Sequence, residues 1–249
     1  MTKGDLDMKI GIITALAEEM LPIHEKLGNL TRASVIAGVN IYEIQTSKDT
    51  IYLACSGTGE IRAAQATQLL IDIFDVETIL NFGFVGTLSP SLNVGDLVIV
   101  EKAVHSAFDL RYIDGTQLGQ YDRREGLYFY FDQNLLNYVR NVLPINTKVV
   151  TISSEDSFIA SKEKKNMLRK TFGADICDME SVGIILVCER NEVPAFCMKI
   201  VSDSADDSAT QDFRTTLENG LTKYDQYIPA IIDAIDGFGI RKGLPPVKK

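Results

Sequence analysis

The sequence predicts an α/β fold with a mixed, mainly parallel central sheet. Apolar segments of strand length alternate with amphipathic helical segments along the chain, a pattern typical of strand–helix–strand units. No linker rich in Pro, Gly or Ser separates them, and the sequence has no internal repeat. With 249 residues, 45% of them hydrophobic, the chain can bury one sizeable core. We therefore expect a single domain over residues 1–249, with loose ends at 1–7 and 239–249.

The first half of the chain begins with an apolar, Ile-rich segment, which predicts a buried strand. A helix is expected to follow over 17–27, with Glu18 and Glu19 in its first turn, where the helix dipole favours acids. A Gly-rich turn at 56–60 precedes a long amphipathic helix, and such a turn is a weak indication of ligand contact. The expected strands are 8–13, 35–45, 50–55, 78–84 and 97–101, and the second helix is 61–74.

The second half starts with a weakly patterned stretch, 103–131, which is longer than an ordinary connection and is typical of a lid or an interface segment. Regular periodicity then returns. The expected helices are 132–142, 162–170, an apolar run after Glu180, and a closing helix over 213–235. The expected strands are 148–153 and 195–201.

Composition excludes several classes of protein. The formal net charge of −9 disfavours binding to nucleic acid. No apolar run approaches the ~20 residues that span a bilayer, and the first residues do not resemble a signal peptide. The four cysteines form no CxxC pair and there are only two histidines, so we expect reduced thiols, no metal site and a cytoplasmic location.

Two carboxylates stand at element boundaries in the stretch 178–207. Glu180 precedes an apolar helical run, and Asp203 directly follows a buried-looking strand. Side chains at the carboxyl ends of parallel strands face the ligand crevice, so these two acids are expected to meet over one small polar ligand. Glu19 also follows a strand closely, which favours it over Glu18 as a functional acid. Isolated turn acids are the plainer interpretation of each residue taken alone.

Five segments in order resemble one family: MKIGIITALAEEM, ACSGTGEIRAAQAT, NFGFVGTLSPSLNVGD, SSEDSFI and CDMESVGIILVCERNEVPAFCMKIVSDSADD. Together they resemble the nucleoside phosphorylase superfamily, and within it the methylthioadenosine/S-adenosylhomocysteine nucleosidases. The resemblance covers roughly residues 8–235. It implies a three-layer α/β/α fold, often a homodimer, that cleaves the N-glycosidic bond of a purine nucleoside with water and without a cofactor.

The resemblance also implies roles for individual residues. Asp203 is similar to the catalytic acid at the purine base, and Glu19 to the acid that activates the attacking water. Glu180 is similar to the carboxylate that binds ribose hydroxyls. The other expected contacts with substrate are Met179 under the sugar, Phe158 stacked on the base, Ile159 at the base edge, Ser202 beside the acid, Gly86, and Phe213 near the 5′ substituent.

These residue types suit the chemistry. Breaking a glycosidic bond needs an acid at the departing base and a base at water, and a carboxylate near the ribose stabilises the cationic sugar. For Asp203 to act as an acid near neutral pH, its pKa must be raised by burial or by nearby negative charge. Lys199 lies four residues before Asp203, and its positive charge could neutralise a neighbouring acid.

Two other functions stay open on the sequence. Phosphorolytic relatives tend to carry Arg where this chain has Glu19 and Asn81, which favours water over phosphate, although Arg62 could contact an anion. A non-catalytic nucleoside-binding protein is the third alternative, and its support is Phe84, where the nucleosidases usually have a small residue. The loop 117–126 also lacks the expected proline and carries Arg123 and Arg124. These departures bear on the 5′ substituent, and a futalosine-like substrate is one hypothesis.

Overall fold

Strands and helices alternate along the chain because its apolar runs change period between two and 3.6 residues. The computed structural model describes residues 8–27, 29–220 and 227–242. Within them the strands are β1 Lys9–Thr14, β2 Asn29–Ile36, β3 Val39–Gln45, β4 Thr50–Cys55, β5 Thr78–Thr87, β6 Leu97–His105, β7 Tyr128–Tyr130, β8 Lys148–Ser154, β9 Ile176–Asp178 and β10 Ala195–Asp203.

The helices pack on both faces of the sheet. They are α1 Ala17–Leu27, α2 Glu60–Phe74, α3 Arg111–Asp114, α4 Gln133–Val139, α5 Lys162–Phe172, α6 Ser181–Arg190, α7 Ala209–Gly220 and α8 Ile228–Lys242, with a 3₁₀ turn at Arg140–Val142. One apolar core joins the sheet to α2 and α6, and a second joins the opposite face to α1, α4 and α8. This is the three-layer α/β/α arrangement that the sequence predicts.

The sheet is mixed and partly closed on itself. Its order is β10-β6-β8-β9-β5-β1-β4-β3-β2, with β7 beside β6. Strand β10 pairs with both β6 and β5, so β10, β6, β8, β9 and β5 form a ring. Strands β4, β1, β5 and β10 run parallel to one another, whereas β2, β3 and β4 form antiparallel pairs at the edge. The carboxyl ends of the parallel strands therefore converge on one side of the sheet.

The predicted strand 35–45 is wrong, because two strands occupy it. Ala37 and Gly38 have φ of 48° and 82°, and they form the turn of a hairpin between β2 and β3. Left-handed backbone at both central residues suits a two-residue hairpin turn. Apolar residues continue to alternate across this turn, so the sequence pattern did not reveal the turn.

The predicted closing helix over 213–235 is also wrong. Two helices, α7 and α8, occupy this stretch, and residues 221–226 between them lie outside the described residues. Residues 239–242, which were expected to be part of a loose end, are helical, since α8 continues to Lys242. The remaining parts of the predicted loose ends, 1–7 and 243–249, lie outside the described residues.

Three further differences concern short elements and the ends of strands. Strand β9 was not predicted, because it has only three residues. The weakly patterned stretch 103–131 contains the end of β6, then α3 and β7. Strands β5 and β10 continue to Thr87 and Asp203, beyond their predicted ends, and a register shift after Val201 sets Asp203 opposite Gly86.

Candidate active site

A cavity of about 290 Å³ lies at the carboxyl ends of the parallel strands. It receives residues from the exits of β1, β5, β8, β9 and β10 and from α7. All nine residues predicted for the site line it, and they lie together although they come from distant parts of the sequence. The lining residues are Ala15, Leu16, Glu19, Thr58, Phe84, Val85, Gly86, Ser157, Phe158, Ile159, Cys177, Asp178, Met179, Glu180, Ser202, Asp203 and Phe213.

Glu19 is held at the base of the cavity by main-chain donors. Its Oε2 atom accepts hydrogen bonds from the N–H groups of Ala15 and Leu16, both at 2.9 Å, and its Oε1 atom accepts one from Phe84 N–H at 2.9 Å. The side chain is only 3% exposed. Burial raises the pKa of Glu19, and these three bonds together with Lys199 oppose the rise by stabilising the charged form. The carboxyl group is therefore fixed in orientation.

Glu180 is the N-cap residue of α6 and is buried. Its Oε1 atom accepts a hydrogen bond from Gly59 N–H at 3.0 Å, in the Gly-rich turn before α2. Burial, and next the negative charge of Asp178, raise the pKa of Glu180 to about 7. Met179 stands beside it in the cavity wall and is half-buried. The Gly-rich turn thus contributes to the site by holding a carboxylate.

Asp203 ends strand β10 and is 2% exposed. Its Oδ1 atom accepts Ala205 N–H at 2.8 Å, and its Oδ2 atom lies 2.8 Å from Ser202 Oγ, which also lies 3.1 Å from the carbonyl oxygen of Val85. The serine hydroxyl has one proton for these two acceptors. Both contacts are satisfied when Asp203 is protonated and donates to Ser202, which then donates to Val85. Burial raises the pKa of Asp203, in the direction that a general acid requires.

Gly86 and Gly83 allow close approach of side chains to strand β5. A Cβ atom on Gly86 would lie 2.9 Å from Asp203 Oδ1, and one on Gly83 would lie 3.0 Å from Glu19 Oε1. Any larger residue at these positions would displace a carboxyl group of the site. Glycine at these two positions therefore allows the two acids to be placed against strand β5.

Lys199 and Asp178 form a buried ion pair beneath the cavity. Lys199 Nζ lies 3.1 Å from Asp178 Oδ2, and the two side chains are 2% and 1% exposed. Burial alone would lower the pKa of Lys199, but Asp178, Glu180 and Glu19 outweigh it and raise the pKa. The lysine is therefore a cation that balances the acids of the site, as the sequence suggested for it.

Three aromatic rings form the apolar side of the cavity. Phe84 and Phe213 meet edge to face with ring centroids 6.4 Å apart, and Phe213 and Phe158 do so at 6.1 Å. Phe84 is 8% exposed, whereas Phe158 is 47% exposed and stands where a base could stack on it. Phe84 thus lines the cavity and also packs in the core with Phe213.

Several residues considered in the sequence lie elsewhere. Asn81 is buried in strand β5, where its side chain binds Ile13 and Cys197. Arg124 pairs with Glu189 on α6 and stacks on Phe129 at 4.0 Å. Among the described residues that line the cavity, none is Lys, Arg or His. The described lining residues therefore offer no basic side chain to a phosphate ion.

Sequence reasoning missed two parts of the site. Asp178 entered the sequence analysis only as the first residue of the stretch 178–207, and Glu60 only as the end of a Gly-rich turn. Both are buried, and Ser154 joins them. No signal in the sequence singled out Glu60, because an acid in the first turn of a helix is ordinarily solvated.

Neither a metal site nor a membrane span is found. Within the described ranges, no group of three or more His, Cys, Asp or Glu residues has an arrangement that could hold a metal ion. In the same part of the chain, no helix has the length and apolar character needed to cross a bilayer.

Comparison with known proteins places this architecture among nucleoside-processing enzymes. The model of the phosphorylase superfamily matches residues 9–233. The aminodeoxyfutalosine nucleosidase of Campylobacter jejuni is 31% identical over 209 residues, which are 83% of this chain and 90% of that protein. The 5′-methylthioadenosine/S-adenosylhomocysteine nucleosidase of Staphylococcus haemolyticus is 32% identical over 230 residues, 91% of this chain and 100% of that protein.

A solved structure agrees with these sequence relatives. The 5′-methylthioadenosine/S-adenosylhomocysteine nucleosidase of Helicobacter pylori, crystallised with butyl-thio-DADMe-Immucillin-A, superposes with a TM-score of 0.87. It is 26% identical, and the match covers 92% of this chain and 99% of that one. The similarity therefore extends over nearly the whole of both chains.

Proposed function

The chain belongs to the phosphorylase superfamily, and on that premise we propose that it is a purine nucleoside N-ribosyl hydrolase. Its expected substrate is a 5′-substituted adenosine such as methylthioadenosine or S-adenosylhomocysteine. The observation that carries the proposal is the convergence of Glu19, Glu180 and Asp203 on one cavity, in which no described lining residue is basic. The relatives named as nucleosidases support the same reaction type.

In the proposed mechanism the three carboxyl groups have separate tasks. Asp203 holds a proton near the base and gives it to the purine as the glycosidic bond breaks. Glu180 accepts hydrogen bonds from the ribose hydroxyls, and its negative charge stabilises the positive charge that develops on the sugar. Glu19 accepts a proton from the attacking water. The apolar rings of Phe158 and Phe213 hold the base and the 5′ substituent.

Release of free base, measured with and without phosphate, tests the reaction type. We expect the purified protein to release adenine at the same rate in phosphate-free buffer and in phosphate, and to yield a free 5-substituted ribose. A requirement for phosphate, with ribose 1-phosphate as product, would identify a phosphorylase instead. A shift in melting temperature with adenine but no base release would identify a binding protein.

An aminodeoxyfutalosine-like nucleoside is the second candidate substrate. The observation that favours it is the aromatic wall of Phe84, Phe158 and Phe213, which suits a large apolar 5′ group. The relative from Campylobacter jejuni carries this activity in its name. Comparing kcat/KM for methylthioadenosine, S-adenosylhomocysteine and aminodeoxyfutalosine decides between the two candidates.

We also propose that the protein is a homodimer. Helix α2 exposes Ile61 and helix α3 exposes Tyr112 and Ile113, with exposed fractions of 81%, 94% and 83%. Large apolar side chains with such exposure are characteristic of surfaces that bind a partner when they cluster. The long segment that carries α3 supports the same assignment, since segments of this length often form interfaces.

A further inference from the structure

Glu60 is a buried acid that the proposed mechanism does not use. It is the first residue of α2, it is 7% exposed, and it does not line the cavity. Its Oε1 atom lies 2.5 Å from Ser154 Oγ, and its Oε2 atom accepts a hydrogen bond from Gly183 N–H in the first turn of α6. On the other side of Ser154, Asp178 Oδ1 lies 2.6 Å from the same hydroxyl oxygen.

The hydrogen atoms in this group can be counted. Ser154 has one hydroxyl proton but stands at hydrogen-bond distance from two carboxyl oxygens. If both acids were ionised, one of these contacts would bring together two oxygen atoms with no proton between them. Such a contact in a buried site would be strongly repulsive. One of the two carboxyl groups must therefore carry a proton.

The surroundings assign this proton to Glu60 rather than to Asp178. Asp178 receives the ammonium group of Lys199 at 3.1 Å, the hydroxyl of Ser181 at 2.5 Å and the N–H of Ser181 at 3.3 Å, all of which stabilise its ionised form. The carboxyl of Glu60, among the described residues, has one N–H donor, Gly183. Ser154 then accepts from Glu60 and from Val182 N–H and donates to Asp178, so all of its capacity is used.

We propose that Glu60 is a positioning residue, kept as the neutral acid, that donates its proton to Ser154 and so holds the start of α6 and the sugar-binding Glu180 in place. Glu60 is linked to Glu180 on two sides, each time through one neighbouring residue. Gly59, the neighbour of Glu60, donates its N–H to Glu180 Oε1, and Glu60 itself anchors Gly183, three residues after Glu180. The effect on substrate rests on the proposed function, whereas the protonation does not.

The charges around Glu60 agree with a neutral acid. Burial, and next the negative charge of Asp178, raise the pKa of Glu60 to about 8. Two acids face it, Glu180 and Asp178, and Asp178 is paired with Lys199. Asp156 accepts the main-chain N–H of Glu60. Tyr121 is also near, and its own pKa is raised by burial and next by Glu60. Ionisation of Glu60 would add a further negative charge to this acid-rich site.

Protonation predicts a definite pH dependence of stability. The pKa of Glu60 is about 8 in the folded chain against an ordinary value of 4.5. The folded state therefore holds an extra proton between these values, and the stability that this proton contributes is lost as pH rises through them. The Glu60→Gln variant keeps a donor for Ser154 and an acceptor for Gly183 at every pH, so it does not suffer this loss.

The experiment compares melting temperatures of wild type, Glu60→Gln and Glu60→Ala from pH 5 to pH 9, with Glu25→Gln, an exposed glutamate on α1, as the control. We expect the difference between Glu60→Gln and wild type to grow in favour of the variant as pH rises to about 8, and the control difference to stay flat. A Glu60→Gln variant that is destabilised equally at all pH values would show that Glu60 is ionised and would overturn the proposal.

Kinetics on the same variants test the positioning role. At pH 6.5 we expect the KM of Glu60→Gln to lie within about twofold of wild type. The KM of Glu60→Ala should rise about tenfold or more, with a smaller change in kcat, because the loss of one buried hydrogen bond weakens binding by about this factor. A Glu60→Ala enzyme with wild-type KM would overturn this role. If Glu60→Ala fails to fold, the wild type and Glu60→Gln still test the positioning role. The KM of wild type divided by that of Glu60→Gln should then rise above pH 8. The melting curves need no substrate, so a failure of the proposed function would be seen separately.

Discussion

At the scale of the residue, three carboxyl groups in one cavity differ in the donors that each receives. Glu19 accepts three main-chain N–H bonds, which favour the charged form that a base needs. Asp203 has one N–H donor and a serine that is fully satisfied when the acid is protonated. Different surroundings thus give chemically identical groups opposite tasks, as the cleavage of a glycosidic bond requires.

Asp203→Asn should lower kcat by about 10²–10⁴-fold, because the amide cannot supply the proton that the departing base needs. The fold should be retained, since asparagine fills the same volume and can still bind Ser202. Asp207→Asn is the control, because Asp207 is an exposed acid of the same segment, paired with Lys162. Turnover measured with saturating nucleoside checks the prediction, and an Asp203→Asn enzyme with near wild-type turnover would refute the acid role.

Glu19→Gln should impair hydrolysis more than binding. The amide oxygen can accept the N–H groups of Ala15 and Leu16, but the amide NH₂ then faces the N–H of Phe84, which costs about 1–3 kcal/mol of stability. We expect kcat to fall by about 10²-fold or more while adenine still binds.

The neighbouring Glu18→Gln is the matched control, since Glu18 is exposed on the same helix turn. Calorimetric titration with adenine and single-turnover kinetics separate the two effects. Equal losses in binding and in turnover would show that Glu19 only positions other groups.

At the scale of the element, the ends of strands were the predictable part of the site. Glu19 lies in the first turn of the helix that follows β1, and Asp203 lies at the end of an apolar run. The side of a parallel sheet on which such residues meet is fixed by topology. The hairpin turn at Ala37–Gly38 and the three-residue strand β9 were not predictable, because neither changes the local periodicity. Glu60 was missed for a different reason: only the tertiary fold turns the first residue of α2 into the interior.

The contact between α2 and α6 depends on Gly183. A Cβ atom at this position would lie 2.9 Å from Glu60 Oε2 and would also press on the carbonyl oxygen of Glu60. Gly183→Ala should therefore push α6 away from α2, at a cost of about 1–3 kcal/mol for overpacking. Because Glu180 caps α6, KM should rise together with the loss of stability.

Thermal unfolding and steady-state kinetics check this prediction. Ala63, buried on α2, offers a comparison in the same interface, since Ala63→Gly removes volume and leaves the Glu60 contacts in place. A Gly183→Ala protein as stable as wild type would mean that the two helices can separate without cost.

At the scale of the whole molecule, the ring formed by β10, β6, β8, β9 and β5 explains why the site is assembled from the entire sequence. Strand β9 pairs with both β8 and β5 and brings Asp178 and Glu180 beneath the end of β10. The sequence alone could predict that the sheet is mixed and α/β, but not this closure, which follows from strand β10 pairing on both sides.

The proposed dimer can be tested with two exposed isoleucines. Ile61 is exposed at the start of α2, and the turn before this helix contributes Thr58 to the cavity, whereas Ile145 is fully exposed just before β8 and does not line the cavity. If the cavity side forms the interface, Ile61→Glu should place an unpaired charge in it and dissociate the dimer, because desolvating a lone carboxylate is costly. Ile145→Glu should leave the dimer intact.

Sedimentation equilibrium at micromolar concentration should give about twice the 27.5 kDa of the chain for wild type and Ile145→Glu, and the mass of one chain for Ile61→Glu. A monomeric wild type would refute the dimer, and dissociation by Ile145→Glu instead would place the interface at the surface around Ile145.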